Sequence, residues 1–173
     1  MNRIAKFEKV SYEQFCNDFI NTFEGLELDD IVLRSIYEKI ELPTRSTKGS
    51  AGYDFKSPID LIFPPSKTNK IPTGIRVKME DNYVMMCFPR SGLGFKYRMF
   101  LDNTVGIIDS DYYYSDNEGH IFIKMTNGNF DGKTVNIRQG DAFAQGVFLQ
   151  YGITEDDEAD GIRNGGLGST DRK

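Results

Sequence analysis

The sequence has one histidine and two cysteines among 173 residues, and no long apolar run. A single histidine leaves no histidine-rich metal site within one chain. Cys16 and Cys87 lie far apart and fit no metal-ligand spacing, so they read as buried free thiols of a reducing cytoplasm. No stretch approaches the ~18 apolar residues that a membrane-spanning helix needs. The opening MNRIAKFEKV is charged where a secretion signal would be apolar. Basic residues are in deficit as well: 21 Lys and Arg stand against 26 Asp and Glu, a net charge of −5. That balance argues against a nucleic-acid or membrane surface. It leaves room for a small anionic ligand, given local arginines or a metal ion. The expectation is a soluble cytoplasmic protein with one core-forming domain.

From Ile40 onward the chain reads as short strands between turn signals, as in all-β barrels or jelly rolls. TGIRVKM alternates Ile75, Val77 and Met79 with Arg76 and Lys78. HIFIKMTNGNF alternates again, with Ile121, Ile123 and Met125 on one face. The beginning differs. SYEQFCNDFINTFEG places Tyr12, Phe15, Cys16, Phe19, Ile20 and Phe23 at helical spacing, and Ser11 with Gln14 suits a capping box. LDDIVLRSIYEKI reads equally as a helix or a strand. The division expected is one β domain over 1–160, with a helical addition at about 11–40, then a flexible glycine-rich arm over 161–173.

VGIIDSDYYY is harder to explain as plain structure. In an extended chain Asp109 and Asp111 would face the same way, and neighbouring like charges repel. The plain reading is a strand entering a tight turn; the sharper one is a catalytic carboxylate beside an aromatic shelf. Four other stretches also carry glycine, polar groups or charge where a strand end should be bland. They are AGYDF (51–55), PRSGLGFK (89–96), GDAFAQ (140–145) and RNGGLGST (163–170). GGLGST lacks the lysine of a nucleotide-binding P-loop.

Together with NTVGIIDSDY (103–112), and in this order, these stretches resemble the five motifs of the trimeric deoxyuridine triphosphate nucleotidohydrolase (dUTPase) family, of bacterial or phage type. The resemblance runs from about Leu42 to Thr170. It implies a dUTPase-like β-jelly-roll, a homotrimer with shared active sites, and hydrolysis of dUTP to dUMP and pyrophosphate with Mg²⁺. By that resemblance Asp109 is the catalytic carboxylate that deprotonates water, while Asp111 holds the turn. Tyr112 packs against the deoxyribose. Asp54 holds Mg²⁺ through bound water. Arg90, Ser91 and Gly92 cradle phosphate, and Gln145 donates to the α-phosphate. Asn103, with the backbone of Gly106, Ile107 and Ile108, reads uracil. Arg163, Leu167 and Gly168 belong to the arm that closes from a neighbouring subunit.

The sequence departs from the family pattern in four places. Leu167 replaces the usual aromatic ring over uracil, and its spacing from Arg163 is one residue short. The glycine expected soon after Tyr112 is delayed by YYSDNEG, which makes Gly119 its counterpart. Ala142 stands where many members have arginine. Two other functions stay in view. A dCTP deaminase would need a further carboxylate on the strand after the catalytic turn, and HIFIKMTN has none. A protein-binding regulator built on the same fold would use the N-terminal helical segment or the YYSDNEG insertion to meet its partner.

Overall fold

Short strands recur from Ala5 to Gln150, and the clearest alternation of apolar and polar residues lies in two of them. The computed structural model describes residues 2–26 and 28–166. In chain order the elements are β1 (Ala5–Lys9), α1 (Tyr12–Thr22), α2 (Asp30–Glu38), β2 (Tyr53–Lys56), β3 (Leu61–Phe63), β4 (Thr68–Pro72), β5 (Ile75–Met79) and β6 (Tyr83–Pro89). There follow α3 (Ser91–Tyr97), β7 (Met99–Leu101), β8 (Gly106–Ile108), a 3-10 turn over Ser110–Tyr114, β9 (Phe122–Asn127), β10 (Val135–Ile137) and β11 (Ala142–Gln150). The strands form one sheet ordered β2-β11-β6-β8 and another ordered β4-β9-β7, with the separate pairs β1-β5 and β3-β10. Every pairing is antiparallel.

β5 buries Ile75, Val77 and Met79 and leaves Lys78 exposed, as its alternation requires. Ile121, Ile123 and Met125 turn inward in the same way. These faces meet Phe55, Phe63, Ile71, Met85 and Phe143 in one core. Each such side chain contributes about 1.5–3 kcal/mol when fully buried. No helix of the described residues is long and apolar enough to cross a membrane.

The N-terminal addition covers one end of this core. α1 inserts Phe15 and Phe19, both buried, while Ile20 of the same apolar stripe stays exposed. The ambiguous LDDIVLRSIYEKI resolves as helix α2, with Asp29 Oδ1 accepting from the Val32 amide at 2.9 Å. The capping box at α1 forms only by half. Ser11 Oγ accepts from the Gln14 amide at 3.1 Å, but the Ser11 amide donates to Glu118 instead. Two elements differ from the sequence expectation. Residues 5–9, charged and outside the family resemblance, form β1 against β5, because Phe7 has a hydrophobic place opposite Val77. PRSGLGFK closes into helix α3, the amides of Leu93 and Gly94 both donating to the Arg90 carbonyl.

Consecutive side chains of the 3-10 turn point in different directions, and this accounts for three tyrosines in a row. Tyr112 is buried, and its hydroxyl donates to the His120 carbonyl at 2.7 Å. Tyr113 reaches back to β1 and donates to Glu8 at 2.7 Å. Tyr114 is exposed and meets the Tyr113 ring edge-on. The chain then loops out over Ser115–Glu118 and returns at Gly119, at φ +71°. A Cβ there would lie 2.7 Å from Tyr113 Cα and 2.8 Å from the Tyr112 carbonyl oxygen. The delayed glycine therefore still packs against the turn.

Gly132 supplies a control, since its φ is +73° with nothing within 4 Å of an added Cβ. Alanine at either position should lose about 1–2 kcal/mol to the left-handed backbone. Gly119→Ala should lose clearly more, because two backbone atoms must also move. Urea unfolding midpoints of the two variants test this; equal midpoints would show that the insertion is not packed on the turn.

Glu8 offers a pH-linked test. Hydrogen bonds from Lys6 and then Tyr113 hold its carboxyl down to about 2, against an ordinary value of ~4.3. A carboxyl lowered on folding contributes stability above its unfolded pKa and loses it as pH falls toward the folded one. Glu8→Gln should therefore be about 1 kcal/mol less stable than the parent at neutral pH. The gap should close between roughly pH 4.3 and pH 2. A gap unchanged at pH 2 would show that the contact is not ionic.

Candidate active site

Asp109 leaves the end of β8 and precedes the 3-10 turn, with Asp111 in the turn's first residues. The two aspartates do meet one cation, through the turn rather than through an extended strand. Arg163 Nη2 donates to Asp109 Oδ2 and Arg163 Nε donates to Asp111 Oδ1 at 2.7 Å. A planar guanidinium fork suits two acceptors that a lysine could serve only as a point charge. The sequence reading sends Arg163 to a neighbouring subunit's nucleotide; within the single chain its counter-charges are these carboxylates. It also gives Asp111 the task of holding the turn. Among the described residues that task falls instead to Ser115, whose hydroxyl donates to the Tyr112 carbonyl at 2.6 Å.

Beside this pair lies a pocket of about 350 Å³, lined by Asn103, Gly106, Ile107, Ile108, Tyr112 and Arg163. That size matches small-molecule sites. Burial pushes the Tyr112 phenol above its ordinary pKa, so the hydroxyl stays a donor to His120. Gly166 closes one side; an added Cβ would fall 2.6 Å from Tyr112 Cε2. Cys87 lies at the pocket floor, opposite Gly106, and burial pushes its thiol up to about 12. Cys16 is only partly buried, contrary to the expectation of two buried thiols.

A second cluster gathers on the same sheet. Asp54 on β2 stands opposite Gln145 on β11, whose Nε2 donates to the Pro89 carbonyl at 3.2 Å. Asp54 Oδ1 accepts from Arg90, and its Oδ2 accepts from Ser46 at 2.9 Å. Ser91 and Gly92 open α3 just beyond Arg90, where main-chain amides lack a carbonyl one turn back. The structure thus brings Asp54, Arg90, Ser91, Gly92 and Gln145 together, and separately Asn103, Gly106, Ile107, Ile108, Asp109, Tyr112 and Arg163. It does not merge the two groups. Ile108 pairs with Met85, whereas Arg90 follows the far end of β6. Five residues separate those levels, or roughly 16 Å at ~3.3 Å per residue, while Gly106, paired with Cys87, stands about 10 Å from the level of Arg90. Leu167 and Gly168 lie outside the described residues.

Three further side chains line the pocket without having drawn notice in the sequence. Phe122 and Lys124 occupy the outward face of β9, and Lys70 reaches over the Phe122 ring at 4.3 Å. Lys124 pairs with Asp102 at 3.1 Å. The alternation of HIFIKMTN already assigns Phe122 and Lys124 to the face opposite the core. What it cannot supply is that a pocket occupies that side.

Comparison with known proteins identifies the family. The family model described as dUTPase matches residues 38–170. A deoxyuridine 5'-triphosphate nucleotidohydrolase of Lactococcus lactis subsp. lactis is 40% identical over 134 residues, covering 76% of this chain and 88% of that protein. The same enzyme of Haemophilus influenzae is 37% identical over 147 residues, covering 80% and 92%. The crystal structure of a Streptococcus mutans dUTPase superposes with a TM-score of 0.63 at 30% identity, over 86% of this chain and 98% of that one. Five motifs in family order, two polar clusters on one antiparallel β-fold and relatives at this identity converge: the chain belongs to the dUTPase family, the enzymes that hydrolyse dUTP.

Proposed function

We propose that this chain cleaves dUTP to dUMP and pyrophosphate in a homotrimer whose active sites combine residues of more than one subunit. The observation that carries this reading is the separation of the two clusters. A general base must stand within about 3 Å of the proton that it takes. Asp109 follows Ile108, whose partner on β6 is Met85. Arg90 stands roughly 16 Å farther along that strand and Gln145, opposite Phe88, roughly 10 Å. Arg90 is engaged by Asp54 instead, an arrangement that suits a site completed by a second copy. Two copies brought together supply both. Large apolar side chains left in water by the single chain, such as Phe95, Phe130 and Ile153, support an assembly that covers some of them.

In this reading uracil occupies the pocket beside Asn103. β8 is an edge strand, so the main-chain groups of Gly106–Ile108 not taken by β6 can bond the base. Tyr112 forms the wall against the deoxyribose. Asp109 takes a proton from water as the water oxygen bonds to the α-phosphorus. The bond from that phosphorus to its bridging oxygen breaks, and pyrophosphate leaves. Arg90, Gln145 and the amides of Ser91 and Gly92, from another subunit, hold the negative charge in line. Arg163, released from Asp109 and Asp111, supplies a further charge-assisted contact. Its departure frees Asp109 to act as a base. Leu167 and Gly168 continue the same arm.

Mg²⁺ belongs to the proposal. A dUTPase structure from phage phi11 of S. aureus, 24% identical over 72% of this chain with a TM-score of 0.57, is described with a structural Mg(II) ion. Among the described residues no group of three His, Cys, Asp or Glu could hold a metal alone. One buried carboxylate, Asp54, fits an ion held mainly by substrate phosphates and water. When bound there, the ion would offset triphosphate charge. Unpaired Cys16 and Cys87 support a reducing, cytoplasmic setting. The dCTP deaminase reading is not favoured, since the relatives are named for dUTP hydrolysis and β9 carries no carboxylate.

Incubating the protein with each dNTP and Mg²⁺ should release pyrophosphate from dUTP alone; ammonia from dCTP would favour the deaminase. Asp109→Asn should still bind dUTP yet lose about 10²–10⁴-fold in turnover. A near-normal rate would remove Asp109 from the role of base.

Light scattering should report three times the 19.7 kDa chain. Asp109→Asn and Arg90→Ala, each inactive alone, should regain part of the activity when unfolded together and refolded as mixed trimers. Mixtures that stay inactive would mean that each chain builds its own site.

A further inference from the structure

The lone histidine is wholly buried and joins the N-terminal addition to the pocket wall. His120 Nδ1 lies 2.6 Å from Asp18 Oδ2 on α1, and the Gly74 amide donates to His120 Nε2 at 2.7 Å. Since Gly74 brings the proton to Nε2, the ring proton sits on Nδ1 and is donated to Asp18. Both ring nitrogens are thereby fixed, and the residue cannot rotate without breaking two buried bonds. Its own carbonyl accepts from the Tyr112 hydroxyl at 2.7 Å, and Asn117 Nδ2 donates to that hydroxyl at 2.9 Å. Asp18 is held in turn by Gln14 Nε2 at 2.8 Å, one helical turn earlier. Burial works against its charge, but the bonds from His120 and Gln14 prevail and keep its carboxyl below the ordinary range.

A second tie runs parallel to the first. Glu118 in the insertion accepts from both the amide and the hydroxyl of Ser11, each at 2.7 Å. The N-terminal segment and the insertion, the two regions outside the shared family pattern, therefore bind one another. Their joint product is the position of the loop that returns to Tyr112.

We infer that Asp18 is a positioning residue: through His120 it fixes the Tyr112 wall, so that the N-terminal helix of this chain sets nucleotide affinity and sugar discrimination. This rests on the reading of Tyr112 as the deoxyribose wall. Loss of Asp18 leaves a buried imidazole N–H without its acceptor, and the ring and its carbonyl shift together. The Tyr112 hydroxyl follows the carbonyl. The ring then opens space where a 2′-hydroxyl would otherwise be crowded out.

The test compares the full chain with Asp18→Ala, Asp18→Asn and Tyr112→Ala, using dUTP and UTP with Mg²⁺ and a thermal melt of each. Asp18→Ala should raise KM for dUTP about tenfold, less than the ~10²-fold that a 1 Å misplacement can cost. Its UTP to dUTP ratio of kcat/KM should rise in the same direction as that of Tyr112→Ala. Asp18→Asn keeps an acceptor for the imidazole, with Gln14 turning its amide to match, and should restore both values. A folded Asp18→Ala with lower Tm but unchanged KM and substrate ratio would make α1 simple packing and overturn the inference. Should Asp18→Ala fail to fold, Asp18→Ser takes its place; failure of both to fold would make the contact a core strut and likewise overturn it. If Tyr112→Ala itself leaves the ratio unchanged, the sugar-wall reading falls and takes this inference with it. If Tyr112→Ala shifts the ratio and Asp18→Ala does not, only the inference falls.

Discussion

The 3-10 turn at Ser110–Tyr114 belongs to no sheet, so its place in the molecule depends on what its side chains can reach. The Tyr112 hydroxyl on the His120 carbonyl is the bond that decides it, since that bond is buried at both ends. A buried donor without a partner costs about 1–3 kcal/mol, and so does a buried acceptor robbed of its donor. Around this bond everything else is arranged to keep the carbonyl still. Gly74 and Asp18 clamp the imidazole, and the Ile121 amide donates to the Ile75 carbonyl and so anchors the start of β9 on β5. Tyr113 adds a tether to Glu8 on the other side. Asp109, directly before the turn, inherits its position from these contacts.

Repulsion between Asp109 and Asp111 is the cost of building the turn this way. An aspartate every second residue would be a poor choice for stability alone. Arg163 resolves it inside the chain by bridging both carboxylates, with its own side chain only 20% exposed. The bridge is partly screened, since Asp109 and Asp111 are 44% and 52% exposed. Exposed ion pairs are weak and are exchanged readily for a better partner. A polyanion entering the pocket would offer Arg163 such a partner, so the contact that calms the turn is also one that the proposed substrate would displace.

Much of this was legible in the sequence because its signals are local. Period-2 alternation marked β5 and β9, and helical spacing with a serine cap marked α1. The five motifs pointed to Asp54, Arg90, Gln145, Asp109 and Arg163, but not to Ser46, Lys70 or Lys124, which stand beside them. What the sequence did not reveal depends on pairing across the chain. Residues 5–9 carry too few apolar side chains to announce a strand until Phe7 finds its place opposite Val77. Ser11 and Gln14 have the chemistry of a complete capping box, yet Glu118, 107 residues away, outcompetes the Gln14 side chain for the Ser11 amide. His120 looked inert as a lone histidine. Its meaning comes from Asp18, 102 residues earlier, and no spacing rule connects them.

Register explains why motif order is so informative here and yet does not by itself give the site. Gln145 opposite Asp54, and Phe88 opposite Gln145, draw three distant segments to one level of the sheet. Shifting β11 by one residue against β6 would turn its buried Phe143 to the other face. The core therefore locks the register, and the register locks the charge cluster at one level of β6. The same antiparallel geometry then sends Ile108, and Asp109 after it, toward the opposite level. In the proposed assembly a different chain presents its phosphate-binding level to this chain's aspartate. Subunit sharing in the proposed enzyme would thus follow from strand pairing that the hydrophobic core has already fixed.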